Sequence, residues 1–257
     1  ISKSVYAGTE FLGESVLSNA DQLKVISRVG VGTDNIDLPY AKSKNIAIEI
    51  TDQGPTNSVA EHTIALILNT LKGIHISGGK LKSGIWEKSL GREITECVIG
   101  VIGVGNIGKR VIELLSVFNP ADIYYYDPYT NLDKSKAIKS DLDDLLKFSD
   151  IVSLHLPLTK DSLSLISNQE LDLMKENALL INTSRGAVVD EDALVYALEN
   201  GRIGGAALDV FLKEPYTGKL TEFDNCLLTP HIAPMTVKAR ESMEYDAVKN
   251  IIKHLTS

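Results

Sequence analysis

Short apolar runs rich in β-branched residues alternate along the chain with longer stretches in which apolar positions recur at helical spacing. That alternation is the pattern of an α/β protein with a parallel sheet, whose strands are buried on both faces and read as continuous apolar runs. It predicts strands at residues 4–7, 24–28, 47–50, 97–102, 122–126, 151–154, 178–182, 206–209 and 226–228. It predicts helices at 58–81, 107–118, 142–148, 167–174, 191–199 and 238–255. Ser167-Asn-Gln-Glu170 has the form of a capping box, and Asp190-Glu-Asp192 puts negative charge where a helix macrodipole favours it. Two turn-rich joints, Thr51-Asp-Gln-Gly-Pro-Thr56 and Thr229-Pro-His-Ile-Ala-Pro234, break the pattern. If both are crossings, residues 53–232 form a domain inserted in a second one made of residues 1–52 and 233–257, a layout expected to open a cleft at the joints.

Composition narrows the function classes. The 257 residues are 44% hydrophobic and 23% charged, which is ordinary for a globular protein and enough for two domains. With 26 basic against 34 acidic side chains the net charge is −8, so the chain lacks the basic footprint of a nucleic-acid or anionic-membrane binder. Cys97 and Cys226 belong to no CxxC pair and read as buried small hydrophobes, and no zinc-ligand set is expected. No run approaches the roughly 18 apolar residues of a membrane span, and no leader-like segment opens the chain, so a cytoplasmic location is expected. The chain starts at Ile1, not Met.

The first chemistry lies in Gly100-Val-Ile-Gly103-Val-Gly105-Asn-Ile-Gly108, where G-x-G-x-x-G links a predicted strand to a predicted helix. In that setting Gly103 permits the turn, Gly105 admits a pyrophosphate to the backbone, and Gly108 lets helix and strand pack closely, with the helix N-terminus facing the phosphates. Asp127 closes the next strand 19 residues beyond Gly108, near the offset of the carboxylate that binds a ribose 2′-hydroxyl. It repels a 2′-phosphate, and no Lys or Arg follows before Lys134, so NAD is expected over NADP.

Hydride transfer to a carbonyl also needs a proton donor and a cation for an acidic substrate. Of five histidines, His62, His75 and His254 fall on predicted helices and read as packed or solvated. His155 ends a strand beside Pro157, where it can line a cofactor cleft. His231 follows the last strand, at the carboxyl edge where open α/β sheets gather ligands, and is the sharpest candidate. Arg185 follows another strand and has the planar fork that clamps a carboxylate. Glu214 is the available partner to orient His231 and stabilise its imidazolium.

Gly103-x-Gly105-x-x-Gly108, Asp127, Asn182-Thr-Ser-Arg185-Gly186, Gly205-Ala-Ala-Leu-Asp209-Val-Phe, Glu214-Pro215 and Thr229-Pro-His231 together resemble the D-isomer-specific 2-hydroxyacid dehydrogenase family. Arg28-Val-Gly-Val-Gly-Thr-Asp-Asn-Ile-Asp37 and Asn57-Ser-Val-Ala-Glu-His62 extend the likeness over nearly the whole chain. Tyr126-Asp-Pro-Tyr129 and His155-Leu-Pro-Leu158 are most similar to the phosphoglycerate dehydrogenase-like branch. The resemblance implies a Rossmann-type doubly wound domain inserted in a smaller flavodoxin-like α/β substrate domain. It implies that Arg185 holds the 2-oxo acid, His231 exchanges the proton and Glu214 supports His231. Cofactor contacts carry over to Asn106, Ile107, Asp127, His155, Leu156, Pro157, Thr183, Ser184 and Asp209, and substrate-carboxylate contacts to the backbone at Val31 and Gly32. The expected product is a D-2-hydroxy acid, from phosphohydroxypyruvate, hydroxypyruvate or glyoxylate, and Arg28 is a candidate for meeting a phosphate. A homodimer through the 58–81 helix region is implied as well.

Family members carry further strand and helix units ahead of a segment such as residues 4–7, and three preceding residues cannot supply them. The substrate domain is therefore expected to be short at its N-terminus, and an inactive truncated paralogue is one rival reading. A second rival is an NAD(H)-sensing corepressor-like binding protein. Ala233-Pro-Met235 after His231 departs from the small residues usual there. Tyr245-x-x-x-Lys249 spells a short-chain dehydrogenase signature, but the glycine spacing does not match that class and no suitably placed serine accompanies it.

Overall fold

The computed structural model describes residues 3–8, 10–51, 53–133 and 136–256, so Asp52 in the first joint and Lys134 lie outside the described residues. The chain divides into two compact units, residues 1–58 with 234–257, and residues 59–233. The first unit holds β1 (Ser4–Ala7), α1 (Glu14–Leu17), β2 (Val25–Arg28), α2 (Leu38–Ser43) and β3 (Ala47–Glu49). α3 (Thr56–Lys72) leads into the second unit, which continues with α4 (Ile74–Lys82), β4 (Val98–Ile102), α5 (Asn106–Ser116) and β5 (Asp122–Tyr126). There follow β6 (Ile138–Lys139), α6 (Leu142–Phe148), β7 (Ile151–Leu154), α7 (Asn168–Leu173), β8 (Leu179–Asn182), α8 (Glu191–Glu199), β9 (Gly205–Leu208) and β10 (Cys226–Leu228). α9 (Val237–Thr256) returns to the first unit.

The second unit is a parallel sheet in the order β10-β9-β8-β7-β4-β5-β6. Strand order reverses between β4 and β7, the switch point at which doubly wound sheets bind ligands outside the strands' carboxyl ends. Period-two alternation divides the core between two faces. Ile99 and Val101 of β4 join Ile181, Ala207 and the buried stripes of α3 and α5. Ile102 joins Leu154, Leu180 and Leu208 under α6, α7 and α8. At Gly100 a Cβ would stand 2.4 Å from Leu145 Cδ2, so α6 approaches β4 as closely as it does because that residue has no side chain.

The first unit is a three-stranded parallel sheet, β1-β2-β3, with Ile26 buried among Ala7, Leu17, Ile36 and Ala41. α9 packs Ala239, Met243 and Ala247 against Val29.

The predicted helix over 58–81 is two helices. Gly73 adopts φ +60°, a left-handed conformation that closes α3, and the Asn69 side chain then accepts from the His75 amide at 2.9 Å in the first turn of α4. β6 was not predicted, because two exposed residues carry no periodic signal. α2 was not predicted either, although Asp37 caps it by accepting from Tyr40 N at 2.9 Å. The capping box at Ser167 and Glu170 forms as read, and Asp190 accepts from Ala193 N at 3.1 Å.

Candidate active site

The glycine turn joins β4 to α5. Gly103 has φ +88°, and a Cβ there would lie 2.5 Å from His155 O; a Cβ on Gly108 would lie 2.0 Å from Gly103 O. Both positions therefore exclude a side chain, whereas a Cβ at Gly105 would project into open space. Asn106 and Ile107 begin α5, so helix geometry leaves their amides without intrahelical acceptors. An open glycine backed by first-turn amides fits a dinucleotide pyrophosphate.

Asp127 stands just past β5 and is almost wholly buried. Its Oδ2 accepts from Val104 N at 2.9 Å, and its Oδ1 accepts from Tyr129 N at 2.8 Å and Thr130 N at 2.9 Å. Burial alone would raise its pKa, but these backbone donors overcome it and hold the carboxyl below the usual range. The carboxylate is thus ionised at neutral pH, with acceptor capacity left on Oδ2 for a ribose hydroxyl.

Three further candidates stand after neighbouring strands. Arg185 follows β8, Glu214 lies in the loop after β9, and His231 follows β10, so the parallel sheet carries all three at its carboxyl edge. His231 Nδ1 lies 2.8 Å from Glu214 Oε2, and Glu214 Oε1 accepts from Phe211 N at 3.1 Å. Asn182 fixes the backbone of Arg185. Its Nδ2 donates to Arg185 O at 2.9 Å, and its Oδ1 accepts from Ser184 N and Oγ at 2.9 and 2.8 Å. The Arg185 guanidinium donates through Nη1 to Ser184 O at 2.6 Å.

His231 has φ +53°, a conformation that a side chain other than Gly, Asn or Asp seldom adopts. Asp209 holds it there. The fully buried carboxylate accepts from Thr229 Oγ1 at 2.5 Å, Ile232 N at 2.9 Å and Ala233 N at 2.8 Å, clamping the turn on both sides of His231. Burial alone would push this carboxyl up, but His62, Thr229 and the two amides hold it below the usual range. A group lowered in the folded state stabilises above its unfolded pKa of about 3.9 and loses that contribution as pH falls through the folded value. The clamp is therefore intact at neutral pH and weakens only in acid.

The helical pattern around His62 predicts a packed or solvated histidine. In the structure its Nε2 lies 3.1 Å from Thr229 Oγ1 and 3.5 Å from Asp209 Oδ1, which attaches α3 to the clamp. Thr63 Oγ1, one residue on, lies 2.9 Å from Thr183 Oγ1. No sequence signal joins residues so far apart in the chain; a buried Asp at a strand end is the one hint that its acceptors must be filled from somewhere.

His155 differs from His231 in kind. Its Nε2 lies 2.9 Å from Ser153 Oγ, its Nδ1 is buried with no partner among the described residues, and burial pushes its pKa down to about 3. It is a neutral ring at physiological pH and suited to lining a site, not to supplying protons. Leu156 and Pro157 follow it in the loop after β7. His75 is engaged with Asn69 and Asp224 O, and His254 with Glu49 in the first unit. Val31 and Gly32 lie in the first unit, in the loop after β2. Tyr245 is an exposed residue of α9. Both cysteines are buried, and burial pushes the Cys226 thiol up to about 12.

Residues 64–233 match the model of the D-isomer specific 2-hydroxyacid dehydrogenase NAD-binding domain. A glyoxylate reductase of Thermofilum pendens is 43% identical over 256 residues, covering 95% of this chain and 75% of its own. The chain belongs to the D-isomer-specific 2-hydroxyacid dehydrogenase family. It is an NAD-dependent dehydrogenase of that family, and the glycine turn with Asp127 belongs to its NAD-binding domain. The crystal structure of D-lactate dehydrogenase from Aquifex aeolicus, complexed with NAD and lactic acid, is similar with a TM-score of 0.92 and 34% identity, over 99% of this chain and 83% of that one. A D-3-phosphoglycerate dehydrogenase of Synechocystis is 36% identical over 93% of this chain, which spans 44% of that protein. No helix among the described residues is long and apolar enough to cross a membrane, and they hold no cluster of His, Cys, Asp or Glu fit for a metal ion.

Proposed function

We propose that this dehydrogenase reduces a small 2-oxo acid, of the glyoxylate or hydroxypyruvate kind, to the D-2-hydroxy acid. The observation that carries the reading is the 2.8 Å pairing of His231 Nδ1 with Glu214 at the sheet edge that also bears Arg185. With Nδ1 occupied, Nε2 of His231 is the nitrogen left to meet substrate. It protonates the carbonyl oxygen during reduction and takes the proton back during oxidation. Glu214 fixes the ring and compensates the imidazolium charge. Arg185 takes the acid's carboxylate with its planar fork, which orients the carbonyl. NADH, when bound, supplies the hydride. The glyoxylate reductase likeness, with its higher identity and coverage, favours a small acid over a phosphorylated one.

The test is NADH oxidation against glyoxylate, hydroxypyruvate and phosphohydroxypyruvate, repeated with NADPH. Glyoxylate or hydroxypyruvate is expected to give the highest kcat/KM. NADPH is expected to be poorer by about 100-fold, because Asp127 meets its 2′-phosphate with like charge. Binding of NADH without reduction of any acid would favour a sensor or an inactive paralogue.

The same reading makes the protein a homodimer through α3, α4 and the segment that follows. Ile74, Leu81, Ile85, Leu90 and Trp86, the last 81% exposed, present large apolar groups there. Sedimentation is expected to give twice the 28.0 kDa chain mass, and Trp86→Asp with Leu90→Asp to give monomers. A monomeric unmodified protein would remove the proposal.

A further inference from the structure

Glu214 sits on exposed chain. Of residues 211–216, in the loop between β9 and β10, only Phe211 and Tyr216 are partly buried, and both pack against the core that includes Leu180, Leu194 and Leu208. Their rings stack, with centroids 4.3 Å apart and planes 19° from parallel. The Tyr216 hydroxyl donates to Glu191 Oε1 at 2.8 Å and accepts from Leu220 N at 3.2 Å. Glu191 opens α8 and Leu220 is buried, so one oxygen ties the loop to a helix on one side and to the core on the other. Burial, with the Glu191 acceptor, pushes the Tyr216 phenol up to about 12, which keeps its proton in place near neutral pH. A Cβ on Gly218 would stand 2.4 Å from that oxygen, so the chain can return past it only because position 218 has no side chain.

Phe211 carries the restraint to the acid/base pair. Its amide donates to Glu214 Oε1 at 3.1 Å, while Glu214 Oε2 meets His231 Nδ1 at 2.8 Å. Its carbonyl carbon would lie 2.0 Å from a Cβ on Gly186, so the loop rests directly on the turn that follows Arg185. We propose that Tyr216 is a positioning residue for the pair: by stacking on Phe211 and bridging Glu191 to Leu220, it holds Glu214 where it orients His231. The proposal rests on the acid/base reading above and extends it to the residue that fixes the pair's geometry. Without those anchors residues 212–215 would sample many backbone states, and a displacement of about 1 Å at a catalytic group can cost up to about 100-fold in rate.

Two substitutions separate ring from hydroxyl, since Tyr216→Phe keeps the stack and loses the bridge, whereas Tyr216→Leu loses both. On glyoxylate, kcat is expected to fall about threefold in Tyr216→Phe and about tenfold in Tyr216→Leu, with KM changed by less than about twofold and NADH affinity unchanged. If Tyr216 acts through Glu214, adding Tyr216→Leu to Glu214→Gln should cost less than about twofold more. The full loss in both backgrounds would overturn the proposal. So would a rise in KM at constant kcat, or a parallel loss of kcat, NADH affinity and thermal stability in Tyr216→Phe. A readout without turnover separates this proposal from the assigned reaction. A carboxylate can only accept, so pairing with Glu214 places the proton of the neutral His231 ring on Nδ1. Long-range proton–nitrogen spectra in mildly alkaline buffer, without substrate, are expected to show that tautomer in the unmodified protein and a mixture with the Nε2–H form in Tyr216→Leu. If the tautomer responds in this way while no 2-oxo acid is reduced, the reaction is misassigned and the role of Tyr216 stands. The same tautomer in both proteins sinks that role. Should Tyr216→Leu fail to fold, Tyr216→Phe decides by the same readouts.

Discussion

Replacing His231 by asparagine is expected to lower kcat for 2-oxo acid reduction by about 100- to 10,000-fold, the range typical of removing a positioned proton donor, while NADH binding is kept. Asparagine is the informative replacement because His231 sits at φ +53°, a conformation asparagine tolerates. No other histidine can take over the task from where it lies. His155 is held neutral by burial, and His62 is engaged with Thr229 beneath the turn. Steady-state kinetics with NADH fluorescence titration checks the result. A kcat within about threefold of the unmodified enzyme would show that the proton comes from elsewhere.

Arg185→Gln is expected to cost about 2–5 kcal/mol in transition-state stabilisation, or roughly 30- to 4,000-fold in kcat/KM, because it removes the charge that pairs with the acid. Arg185→Lys should recover a minor part, since an ammonium cannot make the planar two-point contact. The backbone at this position is fixed independently by the Asn182 side chain, so neither change should disturb the fold. Kinetics on glyoxylate, with thermal melting to verify folding, measures both effects. Full recovery by lysine would mean that only charge matters at this position.

Much of this arrangement was legible in the sequence for identifiable reasons. Strands such as residues 151–154 are buried on both faces, so their apolar runs mark them plainly, and a glycine turn must be spelled with glycines because Gly103 and Gly108 exclude a Cβ. The positions of Arg185, Glu214 and His231 beyond the strand ends were legible because the apolar runs that precede them mark where β8, β9 and β10 stop. What stayed hidden depends on tertiary contact. The break at Gly73 needs a backbone dihedral that a continuous amphipathic pattern masks. The clamp of Asp209, Thr229 and His62 joins three distant segments, and none of its members advertises the others. Asp209 was expected to touch cofactor, and the structure adds that most of its acceptor capacity is spent on the turn of His231. Arg28 could be named as a phosphate candidate from its charge, but the direction of its guanidinium is set by the carbonyls it finds in the folded loop.

The most direct test is to incubate the protein with hydroxypyruvate and NADH and resolve the glycerate formed by chirality. One D-glycerate for each NADH consumed is the predicted result. L-glycerate, or no consumption of NADH under conditions where its fluorescence shows it bound, would contradict the assignment.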